Sequence, residues 1–102
     1  MSKPGDLARL EAVVRGRVQG VGFRYFVTVR AMRMGLTGFV ANDQDGSVRV
    51  VVEGPRVDLE DLLDALQEGP ASAIVERVDE DWLPYTGRWA AFGIESRGHR
   101  GD

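Results

Sequence analysis

The sequence of 102 residues contains no cysteine and one histidine, His99. Without cysteine the chain has no disulfide, no thiolate nucleophile and no sulfur ligand for a metal. One histidine in a polar, glycine-rich tail excludes histidine general-base chemistry and the usual zinc sites, which need clusters of His or Cys at fixed spacing. Any chemistry must therefore come from arginine, asparagine, carboxylates and the backbone.

Long apolar runs and an excess of positive charge are also missing. Residues 1–8 lack the apolar core of a signal peptide or membrane span, so we expect a cytoplasmic protein with no membrane association. The net charge of −3 argues against nucleic acid as a partner, because that affinity depends on many Lys and Arg contacts. The length suits one domain. We predict this domain over residues 8–96, with flexible termini at 1–7 and 97–102, and we expect a monomer.

The most distinctive segment present is Val14–Arg24, in which Gly16, Gly20 and Gly22 separate a strand-like stretch from a helix-like one. Glycines allow successive backbone N–H groups to turn inward, and the first turn of a helix adds unpaired donors and the positive end of its dipole. Arg24 adds a planar, permanently charged fork. Glycines alone are more often ordinary turn residues, but with Arg24 this pattern favours an oxyanion-binding loop.

Apolar periodicity predicts the order of helices and strands along the chain. The predicted elements are a strand at 10–18, a helix from 23 to Gly35, strands at 36–42 and 47–53, a helix around 59–66 ending at Gly69-Pro70, and a strand at 73–78. A short apolar segment, 89–94, can form a fifth strand, and 82–88 has no clear pattern. This order predicts an α+β, ferredoxin-like split βαβ sandwich (βαββαβ), with two helices on one face of an antiparallel sheet.

Two long patterns resemble the signatures of the acylphosphatase family. Residues 16–24 match every fixed position of G-x-V-Q-G-V-x-F-R. The second pattern, G-aromatic-V-x-N-x-x-x-G-x-V followed by a later glycine, is matched by Gly38, Phe39, Val40, Asn42, Gly46, Val48 and Gly54. Two such patterns in this order are far more specific than a lone glycine-rich loop. The resemblance extends over Leu10–Ile94, nearly the whole chain.

The resemblance implies that the protein hydrolyses the carboxyl–phosphate bond of small acyl phosphates, without a metal or another cofactor. It assigns the substrate phosphate to Arg24 and the positioning of the attacking water to Asn42. Backbone N–H groups complete the phosphate site, and they belong to Gln19, Gly20, Val21, Gly22 and Phe23. These roles agree with the chemistry, because an acyl phosphate has a good leaving group and needs charge stabilisation and positioning more than a strong base.

Two positions beside the second pattern depart from the common family sequence. Position 41 is Ala, where many relatives carry a basic residue, and position 43 is Asp, where a hydroxyl or apolar residue is frequent. A carboxylate at Asp43 near a bound phosphate would repel it. The departures therefore bear on rate and substrate preference more than on the type of reaction.

Three other interpretations remain alongside the enzyme. The chain could be a non-catalytic domain of the same fold that binds a phosphate ligand or a protein, although the intact Arg24 and Asn42 argue against this. It could be a ferredoxin-like RNA-binding module, which would need exposed stacking aromatics and a basic face. It could also correspond to the acylphosphatase-like part of a larger carbamoyl-transfer protein.

Overall fold

The computed structural model describes residues 6–96, which form five strands and two helices. In chain order these are β1 (Leu7–Arg17), α1 (Phe23–Arg33), β2 (Thr37–Asn42), β3 (Val48–Pro55), α2 (Arg56–Glu68), β4 (Ile74–Leu83) and β5 (Phe92–Ile94). Within this part of the chain no helix is long and apolar enough to cross a bilayer. The flexibility predicted for the termini concerns residues that lie largely outside the described range, and His99 lies outside it as well.

The sheet has the strand order β4-β1-β3-β2-β5. The first four strands in this order pair antiparallel, as predicted, whereas β5 runs parallel to β2, with Gly38 opposite Phe92 and Val40 opposite Ile94. The sheet is therefore mixed, and the ferredoxin-like α+β fold is confirmed. The direction of β5 is set by the connection from β4, which crosses from one edge of the sheet to the other.

The main core lies between the sheet and the two helices. On β1 the alternate residues Leu10, Ala12 and Val14 are fully buried, because a strand places every second side chain on the same face. Helix α2 meets them with Leu59, Leu62, Leu63 and Leu66. The spacing of these leucines predicts α2, and the structure confirms it.

The lengths of β1 and β4 differ from the predicted ones. Strand β1 begins at Leu7, because its first residues pair with Pro55 and Gly54 at the end of β3. Strand β4 continues to Leu83, well beyond the predicted end at Val78. Its second half consists largely of Asp and Glu, which hides the alternation of a strand but suits an edge, where charges discourage pairing with other chains.

A buried carboxylate fixes the connection between β4 and β5. Glu53 on β3 is 1% exposed and accepts hydrogen bonds from Thr86 N (2.9 Å), Thr86 Oγ1 (2.7 Å), Gly87 N (2.9 Å) and Arg9 Nε (3.0 Å). Burial by itself would raise the pKa of the Glu53 carboxyl, but these four donors outweigh it and hold the pKa below its ordinary value. The charged Glu53 therefore holds in place the segment that leads to β5 and its pairing with β2.

Candidate active site

A cavity of about 270 Å³ lies where β1 leads into α1. Its eight lining residues come from the loop, the first turn of α1, β2 and β5: Val18, Gly20, Gly22, Phe23, Arg24, Tyr25, Asn42 and Ile94. The cavity therefore joins residues of both sequence patterns, which are separated in the chain by helix α1.

The first glycine of the pattern belongs to the strand. Gly16 lies within β1, at an irregularity in its pairing with β4, and a Cβ there would collide with the backbone carbonyl of Ile74. A residue without a side chain is thus required by the close approach of β4. The observed loop is therefore shorter than the predicted one over residues 16–24, since β1 includes residues 16 and 17 and α1 begins at Phe23.

The other two glycines open the loop toward the cavity. Gly20 and Gly22 have φ angles of 73° and 80°, and no heavy atom lies within 4 Å of a Cβ built on either residue. Gly22 is also the N-cap of α1, where no side chain caps the helix and the first turn carries no acidic residue. Because the first N–H groups of a helix have no partners within it, the positive end of α1 is accessible from this side.

Arg24 enters this cavity without a counter-ion. Among residues 6–96, no hydrogen-bond or ion-pair partner contacts its guanidinium group. A cation in the first turn of a helix is unfavourable to the helix dipole. The placement of Arg24 therefore costs free energy that an anion in the cavity would offset.

Asn42 lies at the end of β2 and is 8% exposed. Its side-chain oxygen Oδ1 is buried and has no hydrogen-bond partner in the described part of the chain. Buried polar atoms are nearly always hydrogen-bonded, so an unpartnered acceptor points to a donor that binds there. A water or ligand hydrogen that donates to Oδ1 would satisfy it.

Gln19 connects the loop to the β2–β3 hairpin. Its Nε2 donates to the carbonyl oxygens of Asp43 (2.7 Å) and Ser47 (2.9 Å). The hairpin is closed further by Asp45, which accepts hydrogen bonds from the side chain and backbone N–H of Ser47 and pairs with Arg15. These contacts lower the pKa of Asp45 to about 2. The side chain of Gln19 thus holds the glycine loop against the hairpin that carries Asn42.

The two departures from the family sequence flank Asn42 in the chain but do not themselves line the cavity. The Asp43 carboxylate accepts a hydrogen bond from Arg49 Nε at 3.1 Å and is not among the lining residues. Ala41 is fully buried in a small cluster with Phe39 and Val51 on the sheet face opposite the helices. The positive charge of Arg49 offsets the repulsion that Asp43 would exert on a phosphate.

Five of the candidate site residues line the cavity together. They are Gly20, Gly22, Phe23, Arg24 and Asn42. Gln19 and Val21 do not line it, and the carbonyl oxygen of Val21 accepts a hydrogen bond from Ser72 Oγ at 2.7 Å. Sequence reasoning missed the other three lining residues, Val18, Tyr25 and Ile94, although an aromatic residue directly after Arg24 offered a signal for Tyr25.

A second cavity, of about 330 Å³, lies on the open face of the sheet. Five of its eight lining residues are charged: Arg9, Glu11, Arg49, Arg88 and Glu95. Most of these charges are neutralised internally, because Arg9 pairs with Glu11 and Glu53 and Arg49 pairs with Asp43. Residues 6–96 also contain no group of three or more His, Cys, Asp or Glu side chains suited to a metal ion. The smaller cavity, which holds both sequence patterns, is therefore the candidate active site.

The fold and this cavity define a class: a ferredoxin-like domain with a small concave site at an open helix N-terminus. A family model for acylphosphatase matches residues 10–94. An acylphosphatase of Salinibacter ruber is 54% identical over 90 residues, which cover 88% of this chain and 95% of that protein. An acylphosphatase of Mycolicibacterium smegmatis is 48% identical over 85 residues, which cover 80% of this chain and 87% of that protein.

A solved structure agrees with these sequence relatives. The crystal structure of acylphosphatase from Bacillus subtilis matches with a TM-score of 0.83 and 34% identity, over 86% of this chain and 98% of that chain. The chain belongs to the acylphosphatase family. It is an enzyme of the hydrolase class.

Proposed function

We propose that the 270 Å³ cavity binds the phosphoryl group of an acyl phosphate and transfers that group to water. The observation that carries this proposal is the pair of unsatisfied groups in one cavity, the unpaired Arg24 guanidinium and the unpartnered Asn42 Oδ1. One is a cation that needs an anion, and the other is an acceptor that needs a hydrogen-bond donor. A bound phosphoryl group and the attacking water meet both needs.

Arg24 and the glycine loop stabilise the phosphoryl oxygens. The guanidinium fork of Arg24 can donate two parallel hydrogen bonds to them. Backbone N–H groups of Gly20, Gly22 and Phe23, the loop residues of the predicted set that line the cavity, supply further donors together with the uncapped start of α1, and they are fixed before the substrate arrives. Preorganised donors of this kind lower the barrier because they need no rearrangement as charge develops on the equatorial oxygens.

Asn42 orients the water. Its Oδ1 accepts a hydrogen bond from the water, and its NH₂ group is available as a donor. The water attacks phosphorus in line with the bond to the acyl oxygen, so that the P–O bond to the acyl group breaks and the carboxylate leaves. Because the reaction depends on this alignment, a water that is already held in place avoids much of the entropic cost of reaching the transition state.

The residues around the cavity supply no conventional base. None of the eight described residues that line it is a carboxylate or a histidine. A carboxylate is already a good leaving group, so phosphoryl transfer from an acyl phosphate needs charge stabilisation more than deprotonation of the nucleophile. The water proton passes to a phosphoryl oxygen, and the products are a carboxylate and inorganic phosphate. We accordingly expect turnover without a metal ion.

The direct test is hydrolysis of benzoyl phosphate in the presence of a chelator, followed by ultraviolet absorbance. Arg24→Ala should lower kcat/KM about a thousandfold, because a single cation on a transferring phosphoryl group is worth at least that much. Arg88→Ala, in the open-face cavity, is the matched control and should stay within about twofold of wild type, as surface substitutions usually do. Absence of turnover in folded wild type that still binds inorganic phosphate would favour a non-catalytic phosphate-binding domain.

A further inference from the structure

Two large apolar side chains stand exposed at the mouth of the active-site cavity. Tyr25 is 73% exposed and Ile94 is 52% exposed, and both line the cavity. Single apolar side chains scattered on a surface are common and carry no functional meaning. Here two of them converge on one small cavity from different elements, since Tyr25 lies in the first turn of α1 and Ile94 ends β5.

The exposure of the lining residues increases from the base of the cavity to its mouth. Val18 and Phe23, at the base, are each 1% exposed, whereas Tyr25 and Ile94 are open to solvent. Apart from the Tyr25 hydroxyl, the polar side-chain groups among its described lining residues belong to Arg24 and Asn42, and the rest are glycines or apolar. A phosphoryl group held by Arg24 and the loop therefore leaves the rest of its substrate facing Tyr25 and Ile94.

Both rim residues are fixed in position relative to the catalytic groups. Tyr25 follows Arg24 directly in α1. Ile94 pairs with Val40 on β2, two residues before Asn42. Glu53 holds the connection that leads to β5 through hydrogen bonds from Thr86 and Gly87. These contacts help to fix the position of Ile94 at the cavity. Rigid supporting elements of this kind give a binding surface its specificity.

We infer that Tyr25 and Ile94 form a subsite for the acyl group, and that the enzyme prefers acyl phosphates whose acyl group is apolar or aromatic. This inference rests on the proposed function, because it takes the phosphoryl group to be held by Arg24. Among the residues between 6 and 96 that line the cavity, none besides Arg24 is charged and could pair with a charged acyl group. An aromatic or long alkyl acyl group that covers Tyr25 and Ile94 removes apolar surface from water, which favours its binding. An acetyl group covers little of either side chain.

The test is the ratio of kcat/KM for benzoyl phosphate to that for acetyl phosphate, measured with Tyr25→Ser and Ile94→Ala. Each substitution should lower this ratio about fivefold, less than the roughly 10- to 200-fold effect of a methylene group in an enclosed pocket, because both side chains are more than half exposed. The inhibition constant of inorganic phosphate should stay unchanged, because phosphate reaches only the base of the cavity. Tyr25→Phe should keep the wild-type ratio, since the ring and not the hydroxyl supplies the surface.

Matched controls separate this effect from general loss of surface apolar groups. Tyr85→Ser and Ile74→Ala remove the same side-chain types from positions that are 44% and 57% exposed and lie outside the cavity. Both should retain the wild-type ratio. An unchanged ratio in Tyr25→Ser and Ile94→Ala, with turnover intact, would overturn the subsite and leave the proposed function standing. Wild-type protein that turns over neither substrate would instead overturn the proposed function, and the subsite with it.

Discussion

The two cavities are similar in size and both contain arginine, but they differ in how its charge is neutralised. On the open face, Arg9 pairs with Glu53 and Glu11. At the start of α1, Arg24 has no partner among the described residues, and Asn42 Oδ1 is unpartnered as well. Paired charges hold elements of a fold together, whereas an unpaired charge in a concave site is available to a ligand. Arg88 also lines the open-face cavity and has no ion pair among the described residues, but its guanidinium lies over the ring of Trp89, 4.8 Å from the centroid. The combination of an unpaired cation with a buried, unpartnered acceptor therefore marks the smaller cavity as the candidate active site.

After Arg24→Ala, the largest effect that we expect within this comparison is that of Asn42→Ala on turnover. In the proposed mechanism this substitution removes the acceptor that aligns the water, so kcat should fall about a hundredfold, as for other misplacements of a reacting group. The same mechanism assigns phosphate binding to Arg24 and the loop, so inhibition by inorganic phosphate should be nearly unchanged. Steady-state kinetics with benzoyl phosphate measure both quantities.

Gln44→Ala is the control for Asn42→Ala, because Gln44 lies in the same hairpin but does not line the cavity. Its kcat should remain close to that of wild type. Loss of phosphate inhibition in Asn42→Ala would contradict the role of Asn42, since it would place this residue in phosphate binding.

Glu53, the buried partner of Arg9 on the open face, tests the other half of the comparison. Glu53→Gln should lower the free energy of unfolding by about 3 kcal/mol, the size expected when a buried ion pair is broken. The pKa of Glu53 is lower in the folded chain than its ordinary value of 4.5. Its contribution is therefore complete above pH 4.5 and is lost as the pH falls through the lower, folded-state pKa. Urea denaturation of wild type and variant at several pH values measures the difference.

The difference between wild type and Glu53→Gln should shrink on going from pH 7 to pH 3. Where the variant is folded, its inhibition by inorganic phosphate should match that of wild type, because Glu53 does not contact the cavity. An equal loss of stability at pH 7 and at pH 3 would show that the side chain acts through packing and not through its charge.

Much of the fold could be predicted from the sequence because periodicity reports burial directly. The leucines of α2 and the alternation in β1 each face one core, and both elements form where they are predicted. The second half of β4 could not be predicted, since its acidic residues lie at an exposed edge and it is held by pairing with β1. The parallel pairing of β5 with β2 could not be predicted either, because it depends on where the connection from β4 crosses the sheet. Glu53, distant in sequence, holds that connection through Thr86 and Gly87.

The candidate site, like the fold, could be predicted only in part. The glycine pattern and Arg24 indicate an anion-binding loop, because glycine tolerates a positive φ and a cation at a helix start is unfavourable unless an anion binds beside it. The sequence could not show that Gly16 serves the packing of β4, since this depends on the carbonyl of Ile74. Nor could it place Ile94 at the cavity, because that requires the strand order of the sheet.

A smaller effect on kcat than that of Asn42→Ala is expected for Gln19→Ala, which tests whether the glycine loop and the hairpin must be held together. The substitution removes the hydrogen bonds from Nε2 to the carbonyls of Asp43 and Ser47 and leaves two backbone acceptors to be satisfied by water. We expect a loss of kcat of about tenfold, because a hydrogen bond of ordinary strength is worth roughly that factor. The measurement is kcat for benzoyl phosphate together with the inhibition constant of phosphate.

Ser72→Ala provides the matched control for Gln19→Ala. It removes a hydrogen bond of similar length to the same loop, at Val21, without touching the hairpin. If alignment of Asn42 with the loop is what matters, Gln19→Ala should lower kcat while Ser72→Ala does not. Equal losses in the two variants would mean that the loop only needs to be rigid, and that its distance from the hairpin is set elsewhere.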